Sequence, residues 1–298
     1  VVAVDPVVTP IAASEPLTIA QPEPIKVEVV TPIVKEKQEI NEDKYPDTQI
    51  YLMGIAHSKE RALTRNFIIP HISDVLQDFP ITPTTLVNKY FTYIKDNNIN
   101  FLFDSNLSYL LKNKKSLNVK DVIRQYCYYI NEYNIEHFFD LDCAPLLSEV
   151  ELEKLRQDIF DETHKRSIPI FNKEMPRELW TNMCKENDII CIGRFADGDI
   201  GPSDLKDFEE KCAEAHSYGT KVHAIGLAPL SLLNTHKVPF DSVSTSNWSR
   251  DMRKLKTVLI DGMLDKQPIP EDTPFLDTQV ANLQAWAEFC SSYTGATR

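Results

Sequence analysis

From Gln49 onward, short apolar runs alternate with amphipathic stretches, and this alternation limits the chain to folds in which strands and helices succeed one another. Eight runs read as strands: residues 49–56, 100–103, 136–141, 167–171, 188–193, 221–226, 240–244 and 256–260. The stretches between them carry helix punctuation. Thr82 before Pro83 reads as an N-cap with proline in the first helical position, and Leu86, Tyr90, Tyr93 and Ile94 then share one face. Asn118 caps the next helix, and Ser148 with Glu151 has capping-box spacing ahead of Leu152, Leu155 and Ile159. Ser203 opens a helix carrying Leu205, Phe208, Cys212 and Ala215, which Gly219 closes. Eight such units predict an α/β fold, a (β/α)8 TIM-type barrel over residues 49–261. An open doubly wound sheet is the alternative. It calls for a glycine-rich phosphate loop after the first strand, where Met53-Gly54-Ile55-Ala56-His57 offers one glycine.

The flanks differ from this pattern. Residues 1–48 are rich in Pro and Val, and residues 1–46 alone hold seven prolines; repeated proline blocks a packed sheet, so this segment is expected to be an extended arm or linker that engages a protein partner. Residues 262–298 read as a C-terminal extension with one helix over 277–290. The first residue is Val, which reads as a processed product or a fragment. The net charge of −12 opposes broad attachment to nucleic acid. No apolar run approaches the ~20 residues a membrane span needs. Six dispersed cysteines without a CxxC pair read as reduced core residues in a cytoplasmic compartment.

In a parallel barrel the chemistry sits where the strands end, because the loops there vary freely above a packed interior. The candidate strand ends are Phe103-Asp104-Ser105, Phe139-Asp140-Leu141-Asp142, Asn172-Lys173, Gly193-Arg194, the strand holding His223, and the stretch from Asp241 to Asn247. Carboxylates dominate, and clustered carboxylates can divide into a protonated acid and an ionised base or nucleophile. Strand alternation predicts that Asp140 and Asp142 point the same way. Each acid taken alone can also cap a helix or loop. His223, flanked by apolar residues, is expected to pack beneath the site as a neutral, hydrogen-bonded side chain. Asp197-Gly198-Asp199 reads as a turn. No metal is expected, since neither HxH, HExxH nor a zinc-spaced cysteine cluster occurs, and no cofactor is expected.

These strand ends resemble the tRNA-guanine transglycosylase superfamily, and within it the phage-type members that insert 7-deazaguanines into DNA. The resemblance covers residues 101–248. Phe103-Asp104-Ser105 is similar to the element whose Asp assists base exchange, and Phe139-Asp140-Leu141-Asp142 to the acidic element that reads the base. Ile192-Gly193-Arg194-Phe195-Ala196 resembles the strand end that approaches the base closely. Lys221-Val222-His223-Ala224-Ile225-Gly226 resembles the phage-type strand ending in glycine, and Pro239-Phe240-Asp241-Ser242-Val243 the strand that bears the nucleophile. The resemblance implies Asp104 and Asp241 as catalytic residues, and Asp140, Asp142, Gly193, Arg194 and His223 as substrate contacts. An ionised Asp would attack C1′ of a nucleotide drawn out of its stack, and an incoming base would displace it.

This sequence also departs from the family. Asn106 and Leu107 replace small glycines after Asp104-Ser105, Arg194 replaces a glycine of the base slot, and the phage-type alignment puts the nucleophile at Ser244 instead of Asp241. Two functions follow as expectations. One is a base-exchange transglycosylase acting on nucleic acid or a nucleobase. The other is a catalytically degenerate barrel serving as a structural or binding protein, such as a virion component.

Overall fold

The computed structural model describes residues 34–37, 48–53, 69–72, 91–92, 94–96, 101–113, 117–143, 146–172, 175–193, 202–226, 229–235, 237–250 and 253–293. Contacts divide the chain into Val1–Ile33 and Val34–Arg298, and all described residues belong to the second unit. The first helix cap expected, Thr82-Pro83, lies outside them.

Seven strands form one sheet: β1 (Gln49–Met53), β2 (Ile69–Ile72), β3 (Leu102–Phe103), β4 (Ile170–Phe171), β5 (Ile189–Ile192), β6 (Lys221–Ile225) and β7 (Ser242–Thr245). Their spatial order is β3-β2-β1-β7-β6-β5-β4, and every pairing is parallel. Parallel neighbours need long crossovers. The crossover helices described are α1 (Leu107–Asn113), α2 (Val119–Glu132), α3 (Glu149–Thr163), α4 (Arg177–Glu186), α5 (Pro202–Ser217) and α6 (Leu230–Asn234). The α/β class is therefore as expected, and so is the punctuation. Asn118 accepts from the Lys120 N–H, Ser148 and Glu151 form a reciprocal capping box, and Gly219 takes the left-handed φ of 70° just after α5.

The edge strands β3 and β4 are two residues long, and the expected strand at 136–141 bridges β3 at Phe103 and, on its other side, Ile168, two residues ahead of β4. Phe103 bridges Phe138 and Phe139 bridges Ile168, each in parallel sense. The bonds are Phe103 N to His137 O (3.1 Å), Phe139 N to Phe103 O (2.9 Å), Asp140 N to Ile168 O (2.8 Å) and Ile168 N to Phe138 O (2.7 Å). Above this junction the Tyr126 hydroxyl of α2 lies 2.9 Å from Phe139 O and 3.2 Å from Phe103 O. Its ring packs on Phe103 with centroids 4.7 Å apart.

Alternation along the strands sorts two cores. Ile50, Leu52, Phe103, Phe138, Phe171, Ile190, Ile192, Val222, Ala224 and Val243 pack with the helices in one cluster. Leu102, Phe139, Ile168, Ile170, Cys191 and Ile225 form a second cluster with Tyr51, Met53 and Ile189, and among the described residues no helix contributes to it.

Two expectations need correction. Residues 256–260 do not join the parallel sheet: β8 (Leu255–Ile260) pairs antiparallel with β9 (Met263–Pro268) in a separate hairpin. Its turn residues Asp261 and Gly262 both have positive φ, 50° and 77°, the conformation an Asp-Gly hairpin turn requires. The expected boundary at 261 thus falls inside a turn. The hairpin is tied to its surroundings by side chains that imitate a ladder. Asn282 of α7 (Phe275–Tyr293) accepts from Thr257 N and donates to Trp248 O, while Asn234 bonds both backbone groups of Leu264. The second correction is β2, absent from the sequence reading because Pro70 and His71 interrupt its apolar character and proline cannot donate to a ladder.

The Tyr126→Phe substitution removes the hydroxyl at the 103–139 junction while keeping the ring. It should cost about 1–2 kcal/mol, seen as a lower urea midpoint at unchanged slope; an unaltered midpoint would mean the hydroxyl contributes nothing there.

Candidate functional site

The C-terminal ends of the strands converge on Asp104 and Asp142. Both line a cavity of about 20 Å³ together with Met53, Leu107, Ile170 and Ile225. That is room for about one water molecule. Asp104 follows β3 directly, and its Oδ1 accepts from Asn106 N at 2.8 Å, while Ser105 Oγ accepts from Leu107 N at 3.3 Å. Asn106 has a φ of 49°, so the chain turns sharply into α1 at the place where the resembled family has glycine. The local role of Asp104 is thus a turn that starts a helix, with the carboxylate left at the mouth.

Gly193 ends β5 beneath the same mouth. A Cβ there would lie 2.4 Å from Ile170 Cγ2 and 3.8 Å from Asp142 Oδ2. The position is a close approach at which any side chain would have to displace Ile170, and it sets Gly193 beside Asp142. Three of the residues implied by the resemblance, Asp104, Asp142 and Gly193, are therefore neighbours. Arg194, Lys173 and the Asp197–Asp199 turn lie outside the described residues.

Asp140 does not point the same way as Asp142, contrary to the alternation expected of a regular strand. The ladder stops at the two isolated bridges, and Asp140 turns to the helix side, where Arg156 Nε of α3 donates to it at 2.8 Å and Leu141 N at 2.6 Å. Burial raises its carboxyl above the ordinary range by more than the Arg156 guanidinium and the Leu141 N–H lower it. Arg156 was not marked by the sequence, since nothing in α3 distinguishes one basic residue from its neighbours.

Asp241 is the larger correction. It precedes β7, so it sits at the N-terminal end of the sheet, and Asp104 follows β3 at the C-terminal end. Its Oδ2 accepts from Val222 N at 2.7 Å and lies 2.8 Å from His216 Nε2 of α5, while its backbone O accepts from Gln49 N. It shares the helix-side parity of Val243. A catalytic pair of Asp104 and Asp241 is thus not assembled.

His223 agrees with the sequence reading. It is 1% exposed, on the helix-free face, with Nδ1 2.7 Å from Ser242 Oγ and Nε2 2.8 Å from Ser244 Oγ. Tyr51 meets it edge-on and Phe139 lies against it. Each serine hydroxyl can donate or accept, so a neutral imidazole is satisfied at both nitrogens. Ser244, the alternative nucleophile position, is fully buried in this network.

At the opposite end a contact that sequence reasoning missed fastens part of the expected arm. Lys35 donates its backbone N–H to Lys185 O at 3.0 Å, and its Nζ reaches Asn187 O (2.8 Å), Thr220 Oγ1 (3.3 Å) and Asp188 (2.7 Å). The carbonyls at the C-terminus of α4 attract the ammonium. Residue 35 is one lysine in a mixed Lys/Glu stretch, which gives no signal of this role. All six cysteines are free and buried, and burial pushes the Cys127, Cys184 and Cys290 thiols up to about 12. No group of three His, Cys, Asp or Glu among the described residues is arranged to hold a metal. No described helix is long and apolar enough to cross a membrane.

No protein-family model matches the sequence, and neither does any curated protein. Among solved structures, the chain is similar to a mutant tryptophan synthase α-subunit from Pyrococcus furiosus, at 11% identity and a TM-score of 0.43, over 67% of this chain and 87% of that one. A protein from Aquifex aeolicus VF5 is 13% identical with a TM-score of 0.49, over 84% and 93%. Tryptophan synthase from M. tuberculosis is 10% identical with a TM-score of 0.43, over 82% and 93%. At these values the likenesses carry no functional weight.

Gly193→Ala should destabilise the fold by about 1–3 kcal/mol, because Ile170 must move to admit the methyl group; calorimetry showing an unchanged melting temperature would contradict the close approach. Asp140 gives a pH test. An acid with a raised folded-state pKa leaves the native state holding more protons than the unfolded one, so its contribution is complete at low pH. Stability then falls as pH rises from about 3.9 through the raised value. Asp140→Asn should flatten that part of the stability–pH curve measured by urea titration, and a retained slope would assign it elsewhere.

Proposed function

We propose that the chain is a closed eight-stranded parallel barrel that acts by binding, with the strand-end acids of a transglycosylase-like site but no slot for a base. Closure rests on three observations. One segment bridges Phe103 at one edge of the seven-stranded sheet through Phe138 and, through Phe139, Ile168 two residues ahead of the other edge strand. Among the described residues the second cluster is formed by strand and bridge residues, and Leu102 from one edge clusters with Ile170 from the other. The register supplies the third. Stepping from Leu102 through His71 and Met53 arrives at β7 level with Ser246. Stepping the other way, through the bridges, β4, β5 and β6, arrives level with Val238. The two arrivals differ by eight residues, the shear of an eight-stranded TIM-type barrel.

The observation that carries the binding reading is the mouth itself. A cavity of about 20 Å³ is far below the roughly 300 Å³ at which small-molecule pockets begin. Leu107 and the turn at Asn106 occupy the place of the resembled family's small residues. The carboxylate aligned with the nucleophile is held by Val222 N and His216 at the other end of the strands. A structural role, as in a virion, and a protein partner for the Pro-rich arm fit this reading.

One observation favours catalysis as a second reading: Asp104, Asp142 and Gly193 do meet at the mouth. Base exchange there would use one of Asp104 and Asp142, ionised, as nucleophile and the other, protonated, as the acid that protonates the departing base, with Asp241 uninvolved.

The test is incubation of the full chain with labelled guanine and tRNA, and with labelled 7-deazaguanine base and duplex DNA. The binding reading expects no incorporation and no denaturation-resistant adduct. Incorporation that is lost in Asp104→Asn and kept in Asp241→Asn would establish the second reading instead.

A further inference from the structure

The outer surface of α2 carries a groove that the mouth does not use. Its buried side is continuous, with Val122, Ile123, Tyr126, Cys127, Tyr129 and Ile130 all facing inward. The outward stripe holds Arg124, Tyr128 and Glu132 at intervals of four residues, so the three stack on one face of the helix. Tyr128 is 55% exposed, and Arg124 and Glu132 are exposed as well. The three residues line an open surface groove of about 770 Å³ together with Glu162 of α3. Asn131 Nδ2 donates to Glu162 O at 3.0 Å and fixes the two helices at this point.

The charge order along the stripe has a symmetry. Arg124 lies one turn before Tyr128 and Glu132 one turn after it. If a second α2 lies antiparallel on the first, with the two-fold axis at Tyr128, Arg124 of each copy meets Glu132 of the other. The two tyrosine rings then meet at the centre. This is the self-complementary pattern an isologous contact needs. Tyrosine and arginine are also the residue types enriched at interface centres. In the single chain Arg124 is held by Asp121 at 3.0 Å, an exposed contact one turn back, and such pairs are weak enough to be shared or exchanged. We propose that a second copy of this chain docks on α2 through the Arg124–Tyr128–Glu132 stripe, forming a two-fold dimer with the groove receiving the partner's side chains.

The stripe is one helix of fourteen residues, about 21 Å long, so the contact is small and the dimer is a weak one. Sedimentation equilibrium on the full chain tests it, with circular dichroism to verify folding of these surface variants. The wild type should dimerise. Arg124→Glu alone sets acid against acid at both ends, and Glu132→Arg alone sets base against base, so each should weaken the dimer about tenfold or more. A one-to-one mixture of the two variants restores both opposite-charge pairs and should recover dimer of mixed composition. A wild type that stays monomeric to about 1 mM, a dimer indifferent to both reversals, or a mixture that fails to associate would each overturn the proposal.

Discussion

The arrangement depends on how the two shortest strands are completed. A parallel sheet has no hairpins to hold its edges, and an edge of two residues, as in β3 or β4, presents unpaired N–H and C=O groups that must find partners. The 136–141 segment makes four backbone bonds, two to Phe103 of β3 and two to Ile168 just ahead of β4, although it never becomes a ladder of its own. Tyr126 adds a hydroxyl over the junction and a ring against Phe103. Without this segment the second cluster would open to water along Leu102, Ile168 and Ile170.

The common direction of the strands also decides which acids can act together. In a sheet whose strands all run one way, a residue before a strand and a residue after a strand are at opposite ends, whatever their sequence motifs resemble. Asp104 and Asp142 lie at one end, and Asp241 at the other with its carboxylate spent on Val222 N and His216. The mouth is further reduced by the turn at Asn106, the Leu107 side chain and the close contact of Gly193 with Ile170. Among the described residues this leaves a cavity of about 20 Å³ between Asp104 and Asp142.

Much of the architecture was legible because it is written in local patterns. Asn118, Ser148 with Glu151, and Gly219 fix helix ends through bonds to neighbours a few residues away, which spacing alone can reveal. The same is true of the inward His223, whose apolar neighbours on both sides mark a buried strand. Other features are set by distant partners. Ile69–Ile72 is a strand because β1 and β3 flank it, in spite of Pro70. Residues 256–260 have the composition of a core strand, and only the Asp261-Gly262 turn, which was available in the sequence, assigns them to a hairpin. Asp140 and Asp142 diverge because regular alternation ends at the isolated bridges. Lys35 finds its carbonyls some 150 residues away, a pairing that no window along the chain contains.

Hydrogen exchange at single amides tests closure most directly. In the closed barrel the Phe103, Phe139, Asp140 and Ile168 amides are internal ladder donors, and their exchange should be slowed to the same degree as that of Cys191 and Val222 in β5 and β6. Exchange at those four positions as fast as at the exposed loop amides would mean that the sheet is open between β3 and β4, and the closed barrel would be wrong.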